Sequence, residues 1–336
     1  MQRRFQTALA VFVFFLTVCR SFASELDERC AEAEKRGVEF LAANQRATGA
    51  FTTHEWRTLN PDKKLTVDTP FTASQVLYSL TFCEDSSTAR AVSERAAAYL
   101  VGQREGQGIW RYQGRNGWIS PDVDDTAMAL AALKRYGQPI APEALVILRA
   151  SRNEAGLFNT WVGDPSTWKG IDSREIDPVV NLNGLLVFGF VRENLDEVCS
   201  YVLTQVESDK FRRGSPYYPS PLAFTFALSR AHLDGGVSCL AKAAPKIRTV
   251  TLELQQKDGA WGDDFETAVG LLTLLNLGER GDAVERAIGI IVARQMPDGG
   301  WALAPAYSGD RGRWRYGSRA VTTALCIEGL AKYLKR

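Results

Sequence analysis

Two kinds of helical pattern alternate along the chain. Segments Phe71–Phe82, Thr126–Tyr136, Val179–Phe190, Leu222–Ala231, Thr267–Leu277 and Ala320–Leu334 are apolar nearly all round, as in Ala127-Met128-Ala129-Leu130-Ala131-Ala132-Leu133. A helix without a polar face must be covered on every side. The helical segments between them carry more charge on one face, as in Glu285–Arg294. The pattern predicts an inner ring of apolar helices inside an outer ring of amphipathic ones. No alternating strand pattern competes, so no sheet is expected.

The alternation is a repeat, and six copies can be superposed. The first reads Gly37-Val38-Glu39-Phe40-Leu41, Asn44-Gln45, then Gly49-Ala50-Phe51. The second has Ala98-Tyr99-Leu100, Gln103 and Gly108-Ile109-Trp110. The fifth has Gln255-Gln256 and Asp258-Gly259-Ala260-Trp261, and the sixth Gln295 and Asp298-Gly299-Gly300-Trp301. The third and fourth are worn: Leu157-Phe158 stands where Gly-x-Trp belongs, and Tyr201 with Gln205 remains of the other. In each copy an outer helix ends near the Gln, a glycine reverses the chain, and an aromatic closes the turn. A tryptophan recurring at one place per repeat is expected to be a packing wedge between layers. Aromatics off the repeat positions are the better site candidates: Trp56, Trp118, Trp161, Trp168, Tyr217, Tyr218, Trp314 and Tyr316.

The Gln-to-Gly-x-Trp units resemble the QW repeats of squalene-hopene cyclases and related terpenoid cyclases, over nearly all of residues 24–336. The resemblance implies an all-α fold, a single α/α toroid of about six helix pairs with a central cavity. The toroid specifies function poorly.

Ser120-Pro121-Asp122-Val123-Asp124-Asp125-Thr126-Ala127 opens the second inner helix. Acids suit a helix start: Asp122 can cap it and Asp125 can return the bond. Aligning the copies on Thr72-Ala73, Thr126-Ala127, Thr267-Ala268 and Thr323-Ala324 separates scaffold from chemistry. Asp122 then matches Asp68 and Asp263, and Asp125 matches Glu266, whereas Asp124 matches Pro70, Phe265 and Val321. A carboxylate that breaks an apolar repeat position has the cavity as its purpose. The string also matches the D-x-D-D-T-A motif of class II terpene cyclases, in which the middle Asp protonates an alkene or epoxide. That resemblance assigns the acid to Asp124, with Asp122 and Asp125 supporting it. Crowded carboxylates cannot all ionise, so one keeps its proton, and aromatic faces can stabilise the resulting cation. Trp118, Trp56, Trp168, Tyr217, Trp314 and Tyr316, with Arg313 and Arg315, are the expected substrate-binding side chains. The substrate class is a hydrophobic isoprenoid. No metal site is expected; magnesium enters only if the substrate is a diphosphate. Members of that family build the site between two toroids, and this chain has length for one. A partner subunit or a homodimer would supply the second.

Lys plus Arg total 40 and Asp plus Glu 39, so no global attraction to nucleic acid or an anionic surface is expected. No phosphate-binding glycine fingerprint is present. Arg3 and Arg4, the apolar run Ala8–Val18 and the small residues of Ser21-Phe22-Ala23 read as a signal peptide over 1–23, with Ser24 the first mature residue. A lipoprotein signal using Cys19 would need a small residue where Val18 stands. An exported, periplasmic or secreted, protein can keep disulfides. Cys30 and Cys83 flank the first helix pair and are the expected bridge; Cys199, Cys239 and Cys326 complete an odd set of five. Export also suits a membrane polyprene or an imported lipid, and hence contact with a membrane surface. Two other readings stay open. One is a secreted uronate-type polysaccharide lyase or hydrolase, for which Arg111, Arg115, Arg311, Arg313, Arg315 and Arg319 are suited. The other is a noncatalytic lipid- or peptide-binding barrel. The cavity wall discriminates them: apolar and aromatic for a polyprene, an open polar trough with arginines for a sugar acid.

Overall fold

The structure is a computed structural model that describes residues 25–83, 85–115, 117–162 and 175–335. The expected signal segment and Trp168 lie outside the described residues. The helices alternate outer and inner: α1 (25–44), α2 (Pro70–Leu80), α3 (Ser87–Gln103), α4 (Val123–Arg135), α5 (Pro142–Ala150), α6 (Pro178–Phe190), α7 (Asp196–Glu207), α8 (Pro221–Leu233), α9 (Ala244–Leu254), α10 (Asp264–Asn276), α11 (Asp282–Arg294) and α12 (Arg319–Leu334). The even-numbered helices pack in the order α2-α4-α6-α8-α10-α12 and α12 returns to α2, so the inner ring is closed. Every residue of α2 is buried, and α4, α6, α10 and α12 are nearly so. Their all-round apolarity has this physical cause: each is packed between two ring neighbours and an outer helix.

Each half of the repeat signature has a bond to make. The indole N–H groups of Trp110, Trp261 and Trp301 donate to the carbonyls of Leu100, Thr251 and Ile291, 2.7–2.8 Å away on the preceding outer helix. Their backbone N–H groups donate to the hydroxyls of Thr126, Thr267 and Thr323, so in these three repeats the Thr of the Thr-Ala pair ties the turn to the inner helix. In the worn third copy Phe158 and Asn181 make the equivalent link, the Phe158 N–H donating to Asn181 Oδ1. The Gln amide joins successive repeats. Gln45 donates to Gly49 and Val92 carbonyls, Gln255 to Gly259 and Ala283, and Gln295 to Gly299 and Ala33. The last of these links repeat six to repeat one and closes the outer ring. Gly49, Gly259 and Gly299 have φ of +91°, +100° and +88°, a conformation that L side chains rarely adopt.

The expectation of no sheet is overturned. Four short antiparallel strands, β1 (Thr52–Arg57), β2 (Asn60–Asp68), β3 (Tyr307–Gly309) and β4 (Trp314–Gly317), form one sheet in the order β2-β1-β4-β3. It joins the loop before α2 to the loop before α12, with Glu55 paired to Tyr316 and Trp56 to Arg315. It lies at the end of the barrel where the inner helices begin. Periodicity could not find it, because β2 (Asn-Pro-Asp-Lys-Lys-Leu-Thr-Val-Asp) is an edge strand with almost no buried face. Charged edge strands of this kind discourage intermolecular pairing.

The disulfide also differs from expectation. Cys83 is a buried thiol that hydrogen-bonds Glu34, and the bridge is Cys199–Cys239, with Cα atoms 6.3 Å apart. It ties α7 to the short 3₁₀ segment Ser238–Lys242, two elements that pack together although 40 residues separate the cysteines.

Candidate active site

The acid motif sits where the inner ring meets the sheet. Asp122 has extended backbone (φ −130°, ψ 166°) and caps α4, its Oδ1 accepting the Asp125 N–H at 2.6 Å. Val123 N–H donates to the Thr160 carbonyl and Val162 N–H to that of Pro121, so segment 160–162 holds the motif in place. Asp263 caps α10 in the same way, accepting the Glu266 N–H. In the first copy the cap has moved to Thr69, and Asp68 ends β2 instead. At the position equivalent to Asp124, Phe265 and Val321 are buried apolar residues.

Asp124 is braced on both oxygens. Asn183 Nδ2 of α6 donates to Oδ1 at 2.6 Å, and the Tyr218 hydroxyl donates to Oδ2. Burial, and next the charge of Asp122, raise its pKa to about 7, against the lowering pull of Tyr218, Asn183 and Arg230. Asp125 is only 2 % exposed, and burial with the neighbouring Asp122 holds it well above the carboxylate range. Its proton goes to Asp122, which burial raises to about 6 and the bond from Asp125 lowers. Asp125 therefore keeps its proton at neutral pH, and Asp122 and Asp124 are both raised toward neutrality.

Asp122, Asp124 and Asp125 border a cavity that opens to solvent. The rest of the wall is mainly aromatic and apolar: Phe71, Tyr112, Ile119, Trp161, Val180, Tyr217, Tyr218, Tyr307 and Tyr316, with Thr160, Ser308 and Gly309. Tyr307 is the hub, edge-on to Phe71 at 5.1 Å, Tyr218 at 5.5 Å and Phe265 at 6.0 Å. A second, smaller cavity shares Tyr218 and Tyr307 with the first and adds Phe226, Phe265, Asn183 and Arg230.

Of the expected substrate-binding residues, Tyr217 and Tyr316 line the cavity. Trp56 is buried in the sheet under Lys64. Trp314 stacks with Arg57, and Arg315 pairs with Trp56 and Ser308 in the sheet. Arg313 is exposed and bonded to Asp310, and Trp118 is 83 % exposed. No arginine is among the described residues lining the larger cavity. Of the other arginines, Arg111 is bonded to Glu105 and Arg319 to Asp298. Sequence reasoning did not single out Asn183, Arg230 or Tyr307. Asn183 and Arg230 are polar residues in apolar inner helices, the same signal that singled out Asp124.

No protein-family model matches the chain. Among curated proteins, the drimenyl diphosphate synthase of Streptomyces showdoensis is 29 % identical over 219 residues, 60 % of this chain. The chain spans only 40 % of the length of that relative. Among solved structures, a variant of the type II terpene cyclase MstE from Scytonema, in complex with its substrate geranylgeranyl dihydroxybenzoate, superposes with a TM-score of 0.72. The alignment covers 93 % of this chain and 99 % of that one, at 17 % identity. A novel alpha-amylase from Clostridium perfringens superposes with a TM-score of 0.61 at 12 % identity, over 90 % of this chain and 97 % of that one. The chain thus has the α/α toroid of type II terpene cyclases, a fold that also carries other chemistry.

Proposed function

From a barrel with the type II terpene cyclase fold, we propose that this protein cyclises or isomerises an isoprenoid by protonating it, with Asp124 as the acid. The observation that carries the reading is the setting of Asp124: a carboxyl group with a pKa of about 7, braced by two donors and bordering an aromatic cavity. Burial and the Asp122 charge keep a proton on it near neutrality. Tyr218 and Asn183 stabilise the carboxylate left when the proton departs. The substrate alkene takes the proton, and the positive charge passes to a carbon flanked by Tyr, Trp and Phe faces. Loss of a proton elsewhere on the substrate ends the reaction with no net change in composition. Asp122 and Asp125 act by holding the helix start and the local charge.

The aromatic wall around the three acids weighs against a sugar-acid substrate, which would need an arginine-lined trough; no arginine is among the described residues of that wall. The aromatic wall also suits a noncatalytic lipid carrier, and a panel of farnesyl and geranylgeranyl diphosphates, squalene and uronate polymers decides between them. Turnover of a polyprene to an isomer of equal mass supports the proposal. Binding without turnover supports the carrier, and cleavage of a uronate polymer would overturn it. If the substrate is a diphosphate, magnesium would accompany it; no cluster of three or more metal-ligating side chains occurs among the described residues. The rate should fall as pH rises through about 7. Asp124 loses its proton there, and an ionised acid cannot donate. A rate that climbs through that range would contradict the assignment.

Export is part of the proposal. The Cys199–Cys239 bridge supports an oxidising compartment. The mature N-terminus from producing cells should be Ser24; a retained Met1 in a cytosolic fraction would count against export. A membrane-borne polyprene fits that location, and with it a docking contact at a membrane surface. A second toroid, from another subunit or a second copy, remains an option that the mass in solution tests.

A further inference from the structure

Arg230 takes no part in the proton transfer described above, yet its burial is costly. It lies in the last turn of α8 and is 3 % exposed. Its guanidinium sits between the rings of Tyr78 (5.1 Å) and Phe226 (4.8 Å). Nη2 donates to Asn183 Oδ1 at 2.8 Å and meets Met128 Sδ at 3.2 Å, while Nε is buried with no partner. It makes no ion pair among the described residues. A buried charge without a carboxylate partner is unusual.

We propose that Arg230 is a positioning residue: it locks the Asn183 amide so that Asn183 can only donate to Asp124. This rests on the reading of Asp124 as the acid. A guanidinium has donors and no acceptor. The Asn183 oxygen must therefore face Arg230, and its NH₂ must face Asp124, 2.6 Å away. Turned over, the amide would offer its oxygen to Asp124. A protonated Asp124 would then donate to Asn183, and the proton would point away from the cavity. With the amide locked, that lobe of Asp124 is occupied by a donor, Tyr218 occupies a lobe of the other oxygen, and the proton is directed to what remains. The same lock makes Asp124 the stronger acid, because both neighbours bond the carboxylate rather than the acid form.

Other groups also face Asp124: Asp122 and Asp125 on its own helix, Asp177 at the start of α6, Tyr218 before α8 and Tyr307 on β3. Arg230 is faced by Tyr78 of α2, which donates to Asp234, and by Met128 of α4. None of these constrains the Asn183 amide.

Infrared titration of the Asp124 carboxyl, identified by its loss in Asp124→Asn, tests the proposal without substrate. Its outcome stands apart from the cyclase reading. Arg230→Met removes the charge at similar length, a change that often leaves a fold intact. In that variant Asp124 should become about tenfold weaker as an acid, or more. Its C=O band should also shift as the acid begins to donate to Asn183. In an Asn183→Leu background the same substitution should have less than about half that effect on a logarithmic scale. An unmoved midpoint, or an equal effect in both backgrounds, would overturn the proposal; the latter would mean that Arg230 acts through charge alone. Arg230→Gln serves for the same measurement if the Met variant does not fold. It is neutral and accepts either amide orientation.

Discussion

Asp124→Asn is expected to leave the barrel folded and to lower turnover by about a hundredfold or more, the loss typical of a positioned acid. Asparagine has the shape of aspartate, and its oxygen can accept from Asn183 while its NH₂ donates to the Tyr218 hydroxyl, but it has no acidic proton. Asp122→Asn should behave differently. Asparagine caps a helix as well as aspartate, so α4 should persist. The charge of Asp122 raises the pKa of Asp124, so removing it should lower that pKa and move the alkaline limb of activity to lower pH. Asp125→Asn should fall between the two, because it disturbs the shared proton without touching the donor. Stability supplies a control. The folded-state pKa of Asp124 is raised from 3.8 to about 7, so its contribution is fully present below about pH 4 and is lost as pH climbs through about 7. Asp124→Asn should therefore gain stability relative to the native protein over that window. Circular dichroism and urea melts at pH 5 and 8 would show it. Equal activity in Asp124→Asn would remove the acid from the account.

Trp301→Ala should be among the most damaging changes outside the cavity, costing about 3–5 kcal/mol. Trp301 has no exposed surface and fills the space beside Gly37, where a Cβ would come within 3.1 Å of its ring. It also binds the Ile291 carbonyl and the Thr323 hydroxyl, and so joins the last outer helix to the last inner one. Against a total stability of about 5–15 kcal/mol for a typical domain, that loss would leave many molecules unfolded. Trp301→Phe should cost less, since it keeps most of the packing but leaves the Ile291 carbonyl without its donor. Trp118→Ala, at an exposed position, should stay within about 0.5 kcal/mol. Urea midpoints of the three variants check the order, and a Trp118→Ala as harmful as Trp301→Ala would contradict it.

The parts of the fold that were legible in the sequence are those that a local rule dictates. All-round apolarity of Ala127–Leu133 requires an inner helix, and Gln255 with Gly259 and Trp261 requires a turn whose bonds the structure displays. The comparison of Asp124 with Pro70, Phe265 and Val321 rests on the same kind of rule, since a repeat supplies its own reference. The sheet follows no such rule. β2 is exposed over most of its length and has only Leu65 and Val67 on one face, and β3 and β4 are three and four residues long, so the pattern is too short to mark them. The bridge was also out of reach. Cys199 and Cys239 meet because α7 packs on the segment after α8, a contact fixed by ring closure rather than by spacing. Trp118 and Arg313 lie near the cavity in sequence, yet their side chains point to solvent. Tyr307, which three aromatic side chains meet, opens a three-residue strand where nothing in the sequence announces it. Asn183 and Arg230 could have been found by asking of every inner helix what was asked of α4.

The central claim, that the barrel transfers a proton from Asp124 to a carbon of an isoprenoid, is tested most directly in deuterated water. The full chain would be incubated with the polyprene that it turns over, and the product analysed by mass spectrometry. Proton initiation predicts a product that carries one solvent deuterium on carbon, forms at least about a hundredfold more slowly with Asp124→Asn, and keeps its diphosphate if the substrate had one. A product without solvent deuterium, or one formed with release of diphosphate, would contradict it.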